Sequence, residues 1–392
     1  MRILSGVQPS GKIHIGNYFG AIRQFIDLQD RGEALYFIAD LHALTTVREP
    51  GKLGDLATGV ALDYLALGLD PAKVTLFRQS DIPEITELFW YLSALTPMGL
   101  LERAHSYKDK IAKGIAPDLG LFSYPVLMAS DILLYGSDLV PVGKDQVQHL
   151  EITRDIAIKF NAAFVPKYDP ADPKGEKKGH APGILKLPES LVPAETANVP
   201  GTDGQKMSKS YGNVIEVFAD DAPVKKQIMG TKTDSTPVED PKDPEATPIL
   251  PLLRLFASAE EMADHERTFR EGGKGYGHYK VRLLELFHER FDAAREKRRV
   301  LASDPAYVEG VLRDGAKRAR GYAAPVIDAV RAAIGTKRLP EICDHPPECR
   351  PVRRPFRTIL TPPACGRRWS SARSGSCSAT SARARSTPCK SV

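Results

Sequence analysis

Short apolar runs alternating with helix-spaced stripes are the strongest constraint on what the first half of this chain can fold into. "RILSGV" (2–7), "ALYFIAD" (34–40), "VTLFRQ" (74–79) and "LVPV" (139–142) are too short for helices and rich in apolar residues, so they read as buried strands. Between them, Tyr18, Ile22, Phe25 and Ile26 form one helical stripe. Leu53, Leu56, Val60, Tyr64 and Leu67 form a second, and Ile85, Leu88, Phe89 and Leu92 a third. Strand, helix and strand in succession imply crossover connections, and those produce parallel sheets. The expected fold class is therefore α/β, a Rossmann-like doubly wound parallel sheet whose ligands sit where strands end and helices begin.

After Pro166 the texture changes. "KYDPADPKGEKKGHAPG" (167–183) is Pro, Gly and charge, hence an exposed loop, and "TKTDSTPVEDPKDPEATP" (231–248) reads as an extended connector. From about 249 to 334 helical periodicity dominates, through Leu252, Leu253 and Phe256, then Leu284, Phe287 and Phe291, then Val308, Leu312 and Val330. A second, all-helical part follows from that pattern.

Charge separates a body from a tail. The whole chain of 392 residues carries +5, yet residues 339–392 hold ten Lys and Arg against three acids, a net +7 that leaves the body at −2. All five cysteines, Cys343, Cys349, Cys365, Cys377 and Cys389, lie in the same tail, so a Cys-ligated metal site in the body is excluded. The tail has no apolar periodicity and should be disordered or nearly so. A basic arm that grips RNA is one reading; the abrupt break in composition favours a shift of reading frame near residue 339. No run of eighteen apolar residues is present and the first residues do not resemble a secretory signal, so no membrane association and a cytoplasmic location are expected.

Two stretches carry chemistry. In "SGVQPSGKIHIGNYFGAI" (5–22) a strand runs into a Gly and Pro turn that opens a helix, so backbone N–H groups and the positive helix end face whatever lies above the sheet. That suits phosphate: Gly16 allows close approach, and His14 and Asn17 can donate to phosphate oxygens. A tight turn with an exposed His would explain the same residues. In "DGQKMSKSYGN" (203–213), Lys206 and Lys209 are point charges on flexible stems, and Gly204 and Gly212 leave the loop able to close. A solvated surface loop is the plainer explanation, but a specified five-residue string such as "KMSKS" arises by chance on the order of once in ten thousand chains of this length.

"HIGN" placed about 190 residues before "KMSKS" on an α/β scaffold resembles the two signature motifs of the class I aminoacyl-tRNA synthetases. "SYPVLMASDILLYGSDLVPVGKDQVQHLEITRDIA" and "GGKGYGHYK" are similar to the bacterial tryptophanyl branch of that family, over roughly residues 1–338. Asn17 stands where the motif usually has its second His, a variant found in that branch.

The resemblance implies a ligase that uses ATP, with Mg²⁺ bound mainly through its phosphates, to activate L-tryptophan and pass it to tRNA(Trp). It implies a catalytic domain over 1–214, a helical anticodon-binding domain over 215–308, C-terminal helices over 309–338 that return to the catalytic domain, and a homodimer. By matching motifs it places Gln8, Pro9, Ser10, Gly16, Asn17, Gly143, Lys144, Asp145, Met207, Ser208 and Ser210 around ATP. It gives catalytic roles to His14, Asn17, Lys206, Lys209 and the mobile-loop Lys110. Asp131, with Met128, Tyr124, Val140, Val142, Gln146 and His42, would form the tryptophan pocket; His149 is a weaker member. A carboxylate accepting from the indole N–H would select tryptophan, since a ligand lacking that donor leaves a buried charge unpaired. A helix cap or ion-pair partner is the alternative for Asp131. Other activities compatible with these motifs are a tyrosyl-specific enzyme, a small-molecule nucleotidylyltransferase and a non-catalytic RNA-binding paralogue.

Overall fold

The structure is a computed structural model that describes residues 1–9, 11–104, 107–108, 118–192 and 199–336, with the side chain of Asp145 also left undescribed. Ser10, Lys110 and the 339–392 tail, each singled out above, lie outside the described residues. Among those described, no helix is long and apolar enough to cross a membrane.

β1 (Arg2–Val7), β2 (Glu33–Ile38), β3 (Val74–Arg78), β4 (Leu139–Pro141) and β5 (Glu189–Leu191) form one sheet in the order β3-β2-β1-β4-β5. Every pairing is parallel, with Ser5 opposite Tyr36 and Tyr36 opposite Leu76. Successive strands leave β1 first on one side and then on the other, so the sheet changes winding direction between β1 and β4. A crevice opens beyond the strand ends at that point. The four longer apolar runs form strands as the sequence indicates. β5 was not anticipated, because its three residues carry a single large apolar side chain and stand between Pro188 and Pro193.

Alternation along the strands sends side chains to two separate cores. On one face Ala34, Tyr36, Ile38, Val74 and Leu76 meet Phe25, Val60 and Tyr64; on the other Leu4, Leu35, Phe37 and Phe77 meet Leu88, Val126 and Ile132. The stripes supply the covering helices: α1 (Ile15–Asn17) runs through a π turn (Tyr18–Ile22) into α2 (Arg23–Leu28). Next come α3 (Asp40–Ala43), α4 (Lys52–Leu67), α5 (Glu84–Ser93) and α6 (Met98–Glu102). α7 (Leu119–Leu133) starts where the Asp118 carboxylate accepts from the Leu121 N–H at 2.8 Å, and α8 (Val147–Phe164) packs beside it.

The remaining helices are α9 (Asp221–Met229), α10 (Ile249–Leu253), α11 (Ala259–Glu271), α12 (Tyr276–Ala302) and α13 (Pro305–Ile334). Leu252, Phe269, Phe287 and Phe291 share the core that holds Tyr18 and Val60, and Met1–Arg338 form one compact unit. The 231–248 connector has no helix or strand before α10. It is fixed by buried Lys242, whose ammonium donates to the carbonyls of Pro237, Val238 and Asp240, each at 3.0 Å. α13 packs on β3 so closely that a Cβ on Gly315 would stand 1.7 Å from the Leu76 carbonyl oxygen. Only glycine fits that crossing.

Candidate active site

A cavity of about 460 Å³ occupies the crevice between β1 and β4. Its walls include Leu4, Ser5, Gly6 and Gln8 along β1 and its exit; Ala21 and Phe25 from the π turn and α2; His42 in α3; Tyr124, Met128 and Asp131 on α7; Val140 and Val142 at β4; and Gly143 and Gln146 in the turn that follows. All seven residues assigned to the amino-acid pocket from the sequence, Asp131, Met128, Tyr124, Val140, Val142, Gln146 and His42, line this one cavity.

Asp131 forms its floor and is 1 % exposed. An isolated carboxylate there would cost on the order of several kcal/mol in lost hydration, but donors surround it. His42 Nε2 lies 2.8 Å from Oδ2, and Gln79 Nε2 donates to Oδ1 and Oδ2 at 2.8 and 2.9 Å. Burial pushes the Asp131 carboxyl up from its ordinary range, while the His42 and Gln79 hydrogen bonds pull it back down. The Tyr124 hydroxyl and His149 Nε2 are 2.7 Å apart, tying α7 to α8 beside the cavity mouth. Tyr135 lies past the end of α7 and packs on Phe77, with ring centroids 5.5 Å apart.

A smaller cavity of about 110 Å³ adjoins the first, sharing Gly6, Gln8, Ala21 and Phe25, and adds Gly11, Asn17, Tyr64 and Lys209. Here the two sequence motifs meet. The Ile15 N–H donates to the Ile215 carbonyl at 3.0 Å and the Val217 N–H to the Ile13 carbonyl at 3.0 Å, so the strand-like exit of the "KMSKS" loop zips onto the turn. Gly16 sits between them: a Cβ there would be 2.9 Å from His14 Nδ1 and 3.4 Å from Met207 Cβ. Met207 is buried and anchors the loop from below. Asn213 holds it from behind, accepting from the Ser208 N–H at 2.8 Å and donating to Asp203 Oδ1 at 2.7 Å and to the Lys206 carbonyl at 3.2 Å.

The charge pattern of this end is mixed. Burial lowers the Lys209 pKa against the pull of Glu216 and Asp63, while Lys12 pairs with Glu216 at 3.0 Å. Asp63 is itself pushed up to about 6 by burial, opposed by its Arg298 partner on α12. His14 is 6 % exposed and held neutral: burial first, then the Lys209 charge, lower it to about 4, with Glu216 opposing. Asn17 Oδ1 accepts from the His14 N–H at 3.1 Å, which leaves the Asn17 amide N–H₂ for a ligand.

The placements sort the expected nucleotide residues. Gln8 touches both cavities, Gly143 the larger, and Asn17 and Lys209 the smaller. Pro9, His14, Gly16 and Met207 form the wall behind, and Lys144, Lys206 and Ser210 are exposed at the rim, with Ser208 half-buried between them. Neither cavity is lined by these. Gln79 was missed by sequence reading. Its one signal was a polar residue just past the carboxyl end of a strand, "VTLFRQ", the side of a parallel sheet on which ligands bind.

Comparison with known proteins identifies the family. The family of class I tRNA synthetases (W and Y) matches residues 1–291. A tryptophan–tRNA ligase of Rhodopirellula baltica is 53% identical over 337 residues, covering 86% of this chain and 100% of the relative. One from Fusobacterium nucleatum is 51% identical over 85% of this chain and 98% of its own length. Among solved structures, the tryptophanyl-tRNA synthetase of Campylobacter jejuni complexed with ADP and tryptophan superposes with a TM-score of 0.77 at 47% identity, over 86% of this chain and 100% of that one. The chain belongs to the class I tRNA synthetases, in the branch that comprises the tryptophan and tyrosine enzymes.

Proposed function

We propose that this protein is a tryptophan–tRNA ligase, and the observation that carries the reading is the buried, donor-ringed Asp131 carboxylate on the floor of an otherwise largely apolar cavity at the switch point. The indole enters that cavity, its N–H reaching Asp131 while Met128, Val140 and Val142 cover the ring. Tyr124 and Gln146 lie toward the mouth, suited to the polar end of the amino acid. A carboxylate oxygen of tryptophan attacks the α-phosphorus of ATP, the bond to the β-phosphate oxygen breaks, and pyrophosphate leaves. The terminal adenosine hydroxyl of tRNA(Trp) then attacks the activated carbonyl and releases AMP.

The chain supplies positions and charges, the main means of catalysing phosphoryl transfer without a covalent intermediate. ATP sits over the βα turn against Gln8, Gly143 and Asn17, with Lys209 and Lys206 drawing the departing pyrophosphate. Among the described residues no cluster of three His, Cys, Asp or Glu is placed to hold a cation. The groups around the turn are donors suited to phosphate oxygens, and those oxygens would carry Mg²⁺. Its charge would offset that of the leaving group. We place anticodon reading in the 215–308 segment, and the protein in the cytoplasm as a homodimer. The dimer is supported by exposed Leu44, Trp90, Met98 and Leu119 on the catalytic part, which are 51, 69, 63 and 77 % exposed.

ATP–pyrophosphate exchange with tryptophan, with tyrosine and with no amino acid tests the reading. Exchange that needs tryptophan is expected. Exchange driven by tyrosine would point to the sister specificity, exchange without any amino acid to a nucleotidylyltransferase, and none at all to a non-catalytic RNA binder. The same assay on residues 1–338 shows what the tail contributes.

A further inference from the structure

We infer that Gln79 is the positioning residue that turns Asp131 into a fixed acceptor for one substrate N–H, an inference that rests on the Asp131 reading above. Gln79 follows β3 directly and is fully buried at 0 % exposure. Its amide has two ends that could in principle be exchanged, and its surroundings forbid the exchange. The N–H groups of Leu41 and His42 belong to the first turn of α3, where no helical carbonyl is available to them. They can only donate, and they lie 3.1 and 3.4 Å from Gln79 Oε1. With the oxygen held there, the N–H₂ must face the other way, onto both Asp131 oxygens.

The consequence is a carboxylate with three of its roughly four acceptor sites taken. Oδ2 receives His42 Nε2 as well as Gln79, whereas Oδ1 receives Gln79 alone among the described residues. A carboxylate has about four lone-pair sites, so Oδ1 keeps one to offer. The Gln79 hydrogen bond also opposes the upward push that burial gives the Asp131 carboxyl. The strut runs from a helix N-terminus to the substrate-facing carboxylate, and its length matters: Asn is one methylene shorter, and Glu would set an acceptor against an acceptor.

The test compares tryptophan with the analogue in which sulfur replaces the indole N–H, in exchange assays. Gln79→Met should raise the KM for tryptophan about 10- to 100-fold, leave kcat within a few-fold, and leave the analogue's KM unchanged, so that the preference for tryptophan falls by the same factor. If both KM values rise together, Gln79 is merely structural and the inference fails. Gln79→Glu keeps the acceptor for the Leu41 and His42 N–H groups, so it preserves the fold even if the Met variant does not. Its carboxyl can donate to Asp131 only while protonated, so the variant's KM for tryptophan should climb relative to wild type as pH rises; a constant ratio overturns the proposal. Asp131→Asn, run alongside, separates the two claims. If that change leaves the preference intact, the Asp131 reading falls; if it abolishes the preference while Gln79→Met does not, only the Gln79 inference falls.

Discussion

The two ends of the cleft are built on opposite principles. At the amino-acid end Asp131, His42 and Gln79 are 1, 7 and 0 % exposed and locked by hydrogen bonds of 2.8 to 2.9 Å. At the end proposed for phosphate Lys206, Lys209, Ser210 and Asn17 face solvent, and Lys12 is already paired with Glu216. An indole N–H is a neutral, weak donor, so discriminating for it requires an acceptor that is dry and oriented before the ligand arrives. A polyphosphate brings several charges that must be neutralised briefly and then released. Flexible ammonium groups in water suit that task, because a rigid dry site would hold the product.

The sharpest way to break this comparison is Lys209→Ala. If the exposed end acts on the transition state, exchange kcat should fall about 10²- to 10³-fold, the loss seen when one preorganised donor is removed, with the KM for tryptophan within twofold of wild type. A rise in that KM instead would mean that the ends are not separable. Asn213→Ala probes the same end more gently. It removes the three hydrogen bonds that clamp the loop while leaving both lysines in place. At about 1 kcal/mol for each net hydrogen bond, and with partial replacement by water, the KM for ATP should rise about 5- to 30-fold. Tryptophan binding measured without ATP should not move.

Much of the dry end could be read in the sequence, partly from geometry and partly from resemblance. Helical spacing in "SYPVLMASDILLY" puts Met128 and Asp131 on one face and "LVPV" reads as a buried strand, whereas the family resemblance assigned Tyr124, Val140, Val142 and Gln146 to the same pocket; all six line one cavity. What stayed hidden depends on contacts between distant segments. Gln79 matters only because β3 ends beside the start of α3 and opposite Asp131, fifty-two positions later. His14 and Gly16 similarly owe their places to the pairing of Ile15 with Ile215, two hundred positions apart. The loop also looked freer in sequence than it is: its glycines suggested mobility, whereas buried Met207 fastens its middle and Asn213 ties its end back to Asp203 and Lys206. β5 escaped notice because three residues between prolines carry no periodicity to detect.

His14 lies where the two principles meet, and the pH dependence of stability locates the boundary. It belongs in sequence to the turn proposed above to bind phosphate, yet it is buried, and its lowered pKa favours the neutral form, as at the dry end. Its folded-state pKa is lowered from 6.5 to about 4, first by burial and then by the Lys209 charge. The unfolded chain therefore takes up a proton as pH falls through about 6.5 while the folded chain resists until about 4. Acidification across that window should draw stability away from the native state, and above it the residue should contribute no pH dependence. His14→Gln removes the titrating group while keeping a polar side chain of similar reach. Its denaturant midpoint should fall less steeply between pH 6.5 and 4 than that of wild type. Because the cleft beside His14 is open to solvent, the difference is trimmed to on the order of 1 kcal/mol. Such a result would extend the dry wall to His14, with the lysines alone supplying positive charge. Superimposable profiles would mean that His14 is protonated with the lysines, and that the wet end begins one residue before α1.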